Sequence, residues 1–261
     1  MDKQKIAVCF YGQMRLFELL NDFFSTWNSK SDKYHYDFFI SSWDDFDTSR
    51  ISLPLVSSNY ENEDVVTKTW DEGHTKKMAY HFSKVNKLKQ EYEISKEFGY
   101  DKVLTLRPDI MLDFKQLERN LDEFNTVEHS VGVLDRLREV DGYSTLDGDY
   151  LFVSTTEASN IHANIYSYFY LTEKYRKVNR KYKEGGHWIH PFYLTEVLIK
   201  IQSLQIPTII IRPTRDLETL QTCISDKDAI NTLANAAKEW TLEDDLIVKG
   251  SAVREYKGRL L

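Results

Sequence analysis

The chain has 261 residues, 41% of them hydrophobic and 13% aromatic, which is ample for a sizeable core and argues against a disordered or fibrous chain. Its 34 Lys and Arg stand against 41 Asp and Glu, a formal net charge of −7, so the balance gives no general reason to expect the phosphate attraction of basic nucleic-acid binders, although a local basic groove stays compatible with it. Cys9 and Cys223 are the only cysteines, without CxxC or Cys/His spacing, a usage that fits buried thiols in a reducing cytoplasm better than a disulfide framework or a zinc site.

The N-terminal segment MDKQKIAVCFYGQMR carries an apolar run of about six residues before Gly12, too short for a signal-peptide core or a membrane span, and no later window approaches a span. A soluble, cytoplasmic protein is the expectation. KIAVCFY, residues 5–11, is a continuous apolar run, the pattern of a strand buried on both faces. In RLFELLNDFFSTWNSK, Leu16, Leu19, Leu20, Phe23, Phe24 and Trp27 recur at helical spacing. YHYDFFISSW, residues 34–43, reads as a second strand ending in the acidic WDDFDTS, and residues 44–75 show few periodic signals, as a long surface segment would. KKMAYHFSKVNKLKQEYEISKEFGY, residues 76–100, predicts a long helix stopped by Gly99, and DKVLTLRPDIML is the third strand.

Beyond Phe114 the sequence predicts strands at Val131–Leu134, Tyr150–Val153 and Ile206–Pro213. A helix follows Thr155, another occupies GGHWIHPFYLTEVLIKIQSLQ, and the tail from Thr214 has helical stretches such as AINTLANAAKEW. There are no repeats and no low-complexity linker, so residues 1–261 read as one domain. Strands alternating with helices predict an α/β sheet whose ligands sit at the carboxyl ends of the strands. Gly12–Arg15, Trp43–Asp45 and Arg107–Asp109 lie just past three strand ends and are expected to meet in one crevice.

Arg107 and Asp109 are an unusual pair to hang on a core strand. Pro108 holds the residue before it extended, so the two side chains should leave the strand end on the same side. An arginine can hold phosphate oxygens bidentately and an aspartate can bind a hard cation bridging them. An internal salt bridge closing the strand end satisfies the same spacing.

A first strand ending in FYGQMR, a second ending in FFISSWDD, a helix running into YDKVLTLRPDIML, and then DGDYLFVS together resemble a group of nucleotide-sugar glycosyltransferases with the GT-A fold. The similarity spans roughly residues 5–213 and lies in the order and strand context of the motifs. Familiar members carry Asp-x-Asp at the third strand end, binding the metal and the sugar diphosphate; this chain departs from that with Arg107-Pro108-Asp109. The resemblance implies an α/β, GT-A-like (Rossmann-like) mixed, mostly parallel sheet flanked by helices. It divides the domain into a nucleotide-binding part of about residues 1–115, an acceptor part of about 116–213 and a helical tail, 214–261. It also implies Asp109 as the remaining metal ligand, Mg²⁺ or Mn²⁺ as cofactor, and Arg107 sharing the neutralisation of the diphosphate.

Gly12-Gln13-Met14-Arg15 resembles the nucleotide-contacting turn of those enzymes. Gly12 allows the turn and a close approach, while Gln13 and Arg15 supply donors to a uracil or a phosphate. Tyr80, Ser83, Asn86 and Lys87 share one stripe of the long helix. Similar helices line the nucleotide pocket, which makes Ser83 and Asn86 candidates for base or ribose contacts, and a solvated polar face explains the same spacing. Asp149 is the candidate acceptor-side base or sugar-orienting carboxylate, with Asp147 its neighbour in the turn. In GGHWIHPFYLTE, a Gly-Gly hinge precedes aromatics suited to a loop closing over a sugar: Trp188 or Tyr193 for packing, His190 and Glu196 for donor or acceptor contacts. Two histidines at this spacing serve a core role equally well.

The resulting expectation is a glycosyltransferase moving a sugar from a nucleoside-diphosphate sugar, UDP-sugar first, to the hydroxyl of a glycan or of a phage-modified DNA base. Arg107 is catalytic in stabilising the departing diphosphate. A sugar nucleotidyltransferase is the rival enzyme, and the turn lacks that group's longer glycine-rich, lysine-bearing loop. A non-catalytic nucleotide-sugar-binding domain is the rival outside enzymes.

Overall fold

The computed structural model describes residues 3–14, 17–46, 48–70, 74–112, 114–124, 130–134, 137–140, 143–146, 151–172, 189–204, 206, 208–210, 245–249 and 252–256. The first apolar run forms β1 (Gln4–Tyr11), buried from Ile6 onward. After Gly12 come α1 (Phe17–Ser25), the single turn α2 (Trp27–Lys30) and β2 (Tyr34–Trp43). Residues 44–75, expected as a surface segment, hold β3 (Leu55–Glu61) and α3 (Glu63–Thr67), the latter capped by the Asn62 side chain accepting from the Val65 N–H. β3 is the edge strand and only half-buried, so Ser57, Ser58 and Asn59 dilute its apolar signal.

The long helix is α4 (His74–Lys96). Gly99 does not stop it. Glu97 takes the left-handed conformation (φ 54°), with Glu97 N–H bonded to Ile94 O and Phe98 N–H to Glu93 O, a Schellman motif with a glutamate where glycine is usual. The expected third strand is two: β4 (Lys102–Leu106) and, after a turn at Pro108–Asp109, β5 (Ile110–Leu112), followed by α5 (Phe114–Glu123). Next come β6 (Ser130–Leu134), a small β7 (Leu137–Val140) and β8 (Tyr143–Leu146) hairpin, β9 (Leu151–Ser154), α6 (Thr156–His162) and a π-helical turn, Ser167–Leu171. The helix expected to run to residue 205 is α7 (Ile189–Glu196), ended by Leu198 at φ 59°, and the remainder is β10 (Lys200–Leu204). β11 (Thr208–Ile210) pairs antiparallel with β5. In the tail, expected to be helical, β12 (Asp245–Lys249) and β13 (Ala252–Tyr256) pair as an antiparallel ribbon rich in β-branched Ile247, Val248 and Val253.

The main sheet has seven strands in the order β10-β6-β9-β4-β1-β2-β3. β9 runs antiparallel to β4 and β6, and the other neighbours are parallel. This is the mixed, mostly parallel, helix-flanked α/β sheet the sequence predicts. α1, α2 and α5 close one face over Phe10, Phe38 and Leu104, while α4, α6 and α7 close the other over Cys9, Phe39 and Phe152. Among the described residues no helix is long and apolar enough to cross a membrane.

Candidate functional site

β1 lies between β2 and β4, so the chain travels outward from β1 through β2 to β3 and then returns to β1's other side. A crevice opens at the carboxyl ends of the strands where the order reverses in this way. The register pairs Phe10 with Leu106 and Tyr11 with Ser41, which puts Gly12 and Arg107 at adjacent strand ends and Trp43 at the next. Three of the predicted stretches therefore share one edge of the sheet. Gly12 makes the turn there at φ +97°, a conformation strained for any other residue, and its N–H is bonded to Ser41 O at 3.1 Å. Gln13 is half-buried beside it, and Arg15 lies outside the described residues.

Arg107 reaches across the turn to Asp109. Its Nε–H donates to Oδ1 at 2.9 Å and its Nη2–H to Oδ2, a two-pronged pair whose side chains are 14% and 3% exposed. The salt bridge that the spacing allowed is thus present, in a geometry far tighter than a surface ion pair. A charge pair withdrawn from water at a strand end costs desolvation that a hydrophobic pair would avoid, so its retention here needs a reason beyond stability. The donor set does not suit a divalent ion: both oxygens of Asp109 are taken by Arg107, and among the described residues no group of three or more His, Cys, Asp or Glu side chains could hold a metal. Asp109 as metal ligand, with Mg²⁺ or Mn²⁺, is the expectation this arrangement does not accommodate.

On the next strand ends, a cluster appears that the sequence reading passed over. The His81 ring on α4 is fully buried, with Nδ1 2.9 Å from Ser41 Oγ and the Trp43 ring edge-on at 4.1 Å. Its Nε2 has no partner among the described residues. Burial pushes its pKa down to about 4, against the opposing pull of Glu61, so the ring is neutral at pH 7. Glu61, at the end of β3, accepts from Tyr80 Oη at 3.0 Å and Asn59 Nδ2 at 2.9 Å, with Lys84 Nζ at 3.5 Å. Burial raises its carboxyl, but those partners outweigh it and hold it below the usual carboxylate range. Tyr80 stacks on Trp43 with centroids 6.1 Å apart. The only sequence signal was a histidine inside the apolar MAYHF, which reads as core.

Other predicted residues lie elsewhere. Ser83 donates to Ala163 O, and Asn86, fully buried, donates to Phe82 O at 2.9 Å and accepts from Ser159 Oγ. Ser83 Oγ and Asn86 Oδ1 thus tie α4 to α6 and its C-cap, and of the expected stripe Lys87 alone is exposed. His190 is fully buried against Phe82 and Phe152, its Nδ1 2.9 Å from His162 Nε2, in a core setting. Tyr193 is likewise buried, its hydroxyl donating to Ile161 O. Glu196 is exposed, accepts from Tyr168 Oη at 2.9 Å, and leads into the amino end of β10, where Lys200 pairs with Ser130. That is the opposite edge of the sheet from Arg107, a strand length of about 16 Å away at the usual rise. Asp147, Asp149 and Trp188 lie outside the described residues.

The chain matches no family profile and no curated protein. Among solved structures it is similar to a protein described as a nucleotide-diphospho-sugar transferase from Desulfovibrio desulfuricans G20, at 9% identity and a TM-score of 0.46, over 95% of this chain and 100% of that one. Mouse xyloside xylosyltransferase 1 is similar at 10% identity and a TM-score of 0.42, over 78% and 85% of the two chains. The glycosyltransferase GlyE of Streptococcus pneumoniae TIGR4 is similar at 13% identity and a TM-score of 0.38, this chain spanning 52% of its length.

Proposed function

We propose that the chain is a glycosyltransferase that takes a nucleoside-diphosphate sugar, UDP-sugar first, at the carboxyl ends of β1 and β4. The observation that carries the reading is the buried Arg107–Asp109 pair at the point where the strand order reverses, beside the Gly12 turn. At an effective dielectric of about 20, a phosphate charge about 4 Å from the guanidinium gains about 4 kcal/mol, while Asp109 behind it, about 8 Å from the phosphate, returns about 2 kcal/mol of repulsion. The attraction wins although the pair is formally neutral.

In this reading Arg107 faces the diphosphate, Gln13 and Arg15 supply donors to the nucleotide, and Gly12 leaves room for it. The acceptor hydroxyl attacks the anomeric carbon as the bond to the diphosphate oxygen breaks, and its proton passes to a carboxylate within hydrogen-bonding reach. Asp149 is the proposed carboxylate; Glu196, at the opposite sheet edge, is withdrawn from that role. The acceptor is a glycan, with a modified DNA base as the second option that the net charge of −7 disfavours.

The test is a thermal-shift panel of UDP, GDP, CDP and ADP, followed by release of the nucleoside diphosphate from the matching sugar donor. A ligand that binds only the folded chain raises its melting temperature. One nucleotide should stand out and its sugar conjugate should be turned over. A flat panel would end the donor-site reading.

A further inference from the structure

We propose that Arg107, fixed in place by Asp109, does the work of a divalent cation, so that this site binds its nucleoside diphosphate without metal. The proposal rests on the donor-site reading above and goes beyond it to the ionic requirement of the site. Its starting point is the disagreement between the metal site that the resemblance implies and the groups that are present.

A hard cation bridging two phosphate groups is held by anionic oxygens that are free to turn towards it. Here the position of the first aspartate of an Asp-x-Asp pair is Arg107. The second, Asp109, has Oδ1 bound to Nε and Oδ2 bound to Nη2 of that arginine, and its side chain is 3% exposed. An ion reaching either oxygen would have to compete with a charge-assisted bond to it and then sit against the guanidinium, with like charges side by side. It would find no set of three or more acidic, His or Cys side chains among the described residues to complete its shell. His81, on α4 beside the end of β2, offers an imidazole nitrogen, but its ring is fully buried against Trp43.

The guanidinium meets the same need by other means. It stays charged at every working pH, and its planar fork can grip a carboxylate along one edge and phosphate oxygens along another. Asp109 holds the fork in a single orientation inside the fold, so little side-chain freedom remains to be lost when the diphosphate arrives. In this account Asp109 is a positioning residue and Arg107 the group that touches the ligand.

The test is calorimetric titration of the full chain with UDP, and with GDP, CDP and ADP in parallel, once in excess EDTA and once in Mn²⁺. Wild type is compared with Asp109→Asn and with the double variant Arg107→Ala/Asp109→Ala, which removes both charges and so leaves none stranded; circular dichroism sets the folded concentration. The expected result is a dissociation constant equal within about twofold in the two buffers. Asp109→Asn is expected to bind about tenfold more weakly, again without regard to Mn²⁺, since the charge persists and only its placement is loosened. The folded double variant should bind at least about a hundredfold more weakly in both buffers. Tight binding that appears only with Mn²⁺ and vanishes in Asp109→Asn would overturn the inference and leave the donor-site reading standing. Undiminished binding by the folded double variant in EDTA would overturn it as well, and silence from all four nucleotides in both buffers would remove the donor site along with it.

Discussion

The two faces of the central sheet are closed by different chemistry. Under α1, α2 and α5 the contacts are aromatic: Phe10 lies 5.2 Å from Phe17 and 4.6 Å from Phe24, and Trp27 lies 5.1 Å from Phe24 and 5.3 Å from Tyr36. Under α4, α6 and α7 polar side chains are buried among the apolar ones. Lys89 donates to Glu93 at 2.8 Å and to Asn160 at 3.0 Å, Glu93 accepts from Tyr100 N and Thr156 Oγ1, and His162 faces His190. The first face is held mainly by area removed from water, with polar contacts at its α5 edge, where Tyr34 donates to Asp122 and Lys102 to Leu121 O. The second is held by directional bonds that fix how α4 and α6 sit and that depend on protonation. Through Tyr80, α4 reaches Trp43 and Glu61 at the ends of β2 and β3, so the face with the stricter geometry extends to the same edge of the sheet as the proposed site.

The comparison is broken most severely on the aromatic face. Phe24→Ala should cost about 3–5 kcal/mol in urea unfolding, with a loss that is the same at pH 8 and pH 6. A cost below about 1 kcal/mol would mean the helix is not packed as described. Next in size is Lys89→Met, which leaves the Glu93 carboxylate buried with two neutral donors in place of its cation. A loss of about 3 kcal/mol at pH 7 is expected. A loss under about 0.5 kcal/mol, that of an exposed pair, would show that Lys89 does not hold Glu93 in the core.

The histidines sharpen the contrast further. Burial, and then His190, pushes His162 well below its usual pKa of 6.5, and burial takes His81 down to about 4. In the folded chain both stay neutral, while the unfolded chain takes up protons below about pH 6.5. Their contribution to stability is therefore complete above that pH and drains away beneath it, by up to about 1.4 kcal/mol per pH unit for each histidine. For His81 the loss ends near pH 4. Urea midpoints measured from pH 8 to pH 5 should be level and then fall, and a level profile throughout would contradict the buried neutral pair. The smallest effect belongs to the exposed surface of α4. Lys87 and Glu91 are 3.8 Å apart and 69% and 60% exposed, and Lys87→Ala should shift stability by no more than about 0.5 kcal/mol.

The aromatic face was largely legible in the sequence, because Phe23, Phe24 and Trp27 recur at helical spacing, IAVCFY is an unbroken apolar run and YHYDFFISSW is rich in aromatics. The polar face was not. Lys89, Glu93 and Asn86 look like a solvated stripe, since a residue's type does not reveal that its charge has a partner 71 residues away, as Lys89 finds in Asn160. β3 leaves little signal because an edge strand needs few apolar residues, and the helical pattern runs past the end of α7 because Leu198 carries a left-handed turn that leucine seldom supports. At the site, the Gly12 and Arg107 turns could be anticipated from where apolar runs stop. That Asp109 faces Arg107 with both oxygens could not, as the same i and i+2 spacing serves either a metal ligand or a salt bridge.

The central claim, that the reversal point of this sheet is a diphosphate site built on Arg107, is tested most directly by measuring the affinity of the best-bound nucleoside diphosphate for wild type, Arg107→Lys and Arg107→Ala, each referred to its folded concentration. Lysine keeps the charge without the fork, so the account predicts an intermediate loss for Arg107→Lys and about a hundredfold or greater loss for Arg107→Ala. Folded Arg107→Ala that binds as tightly as wild type would contradict it.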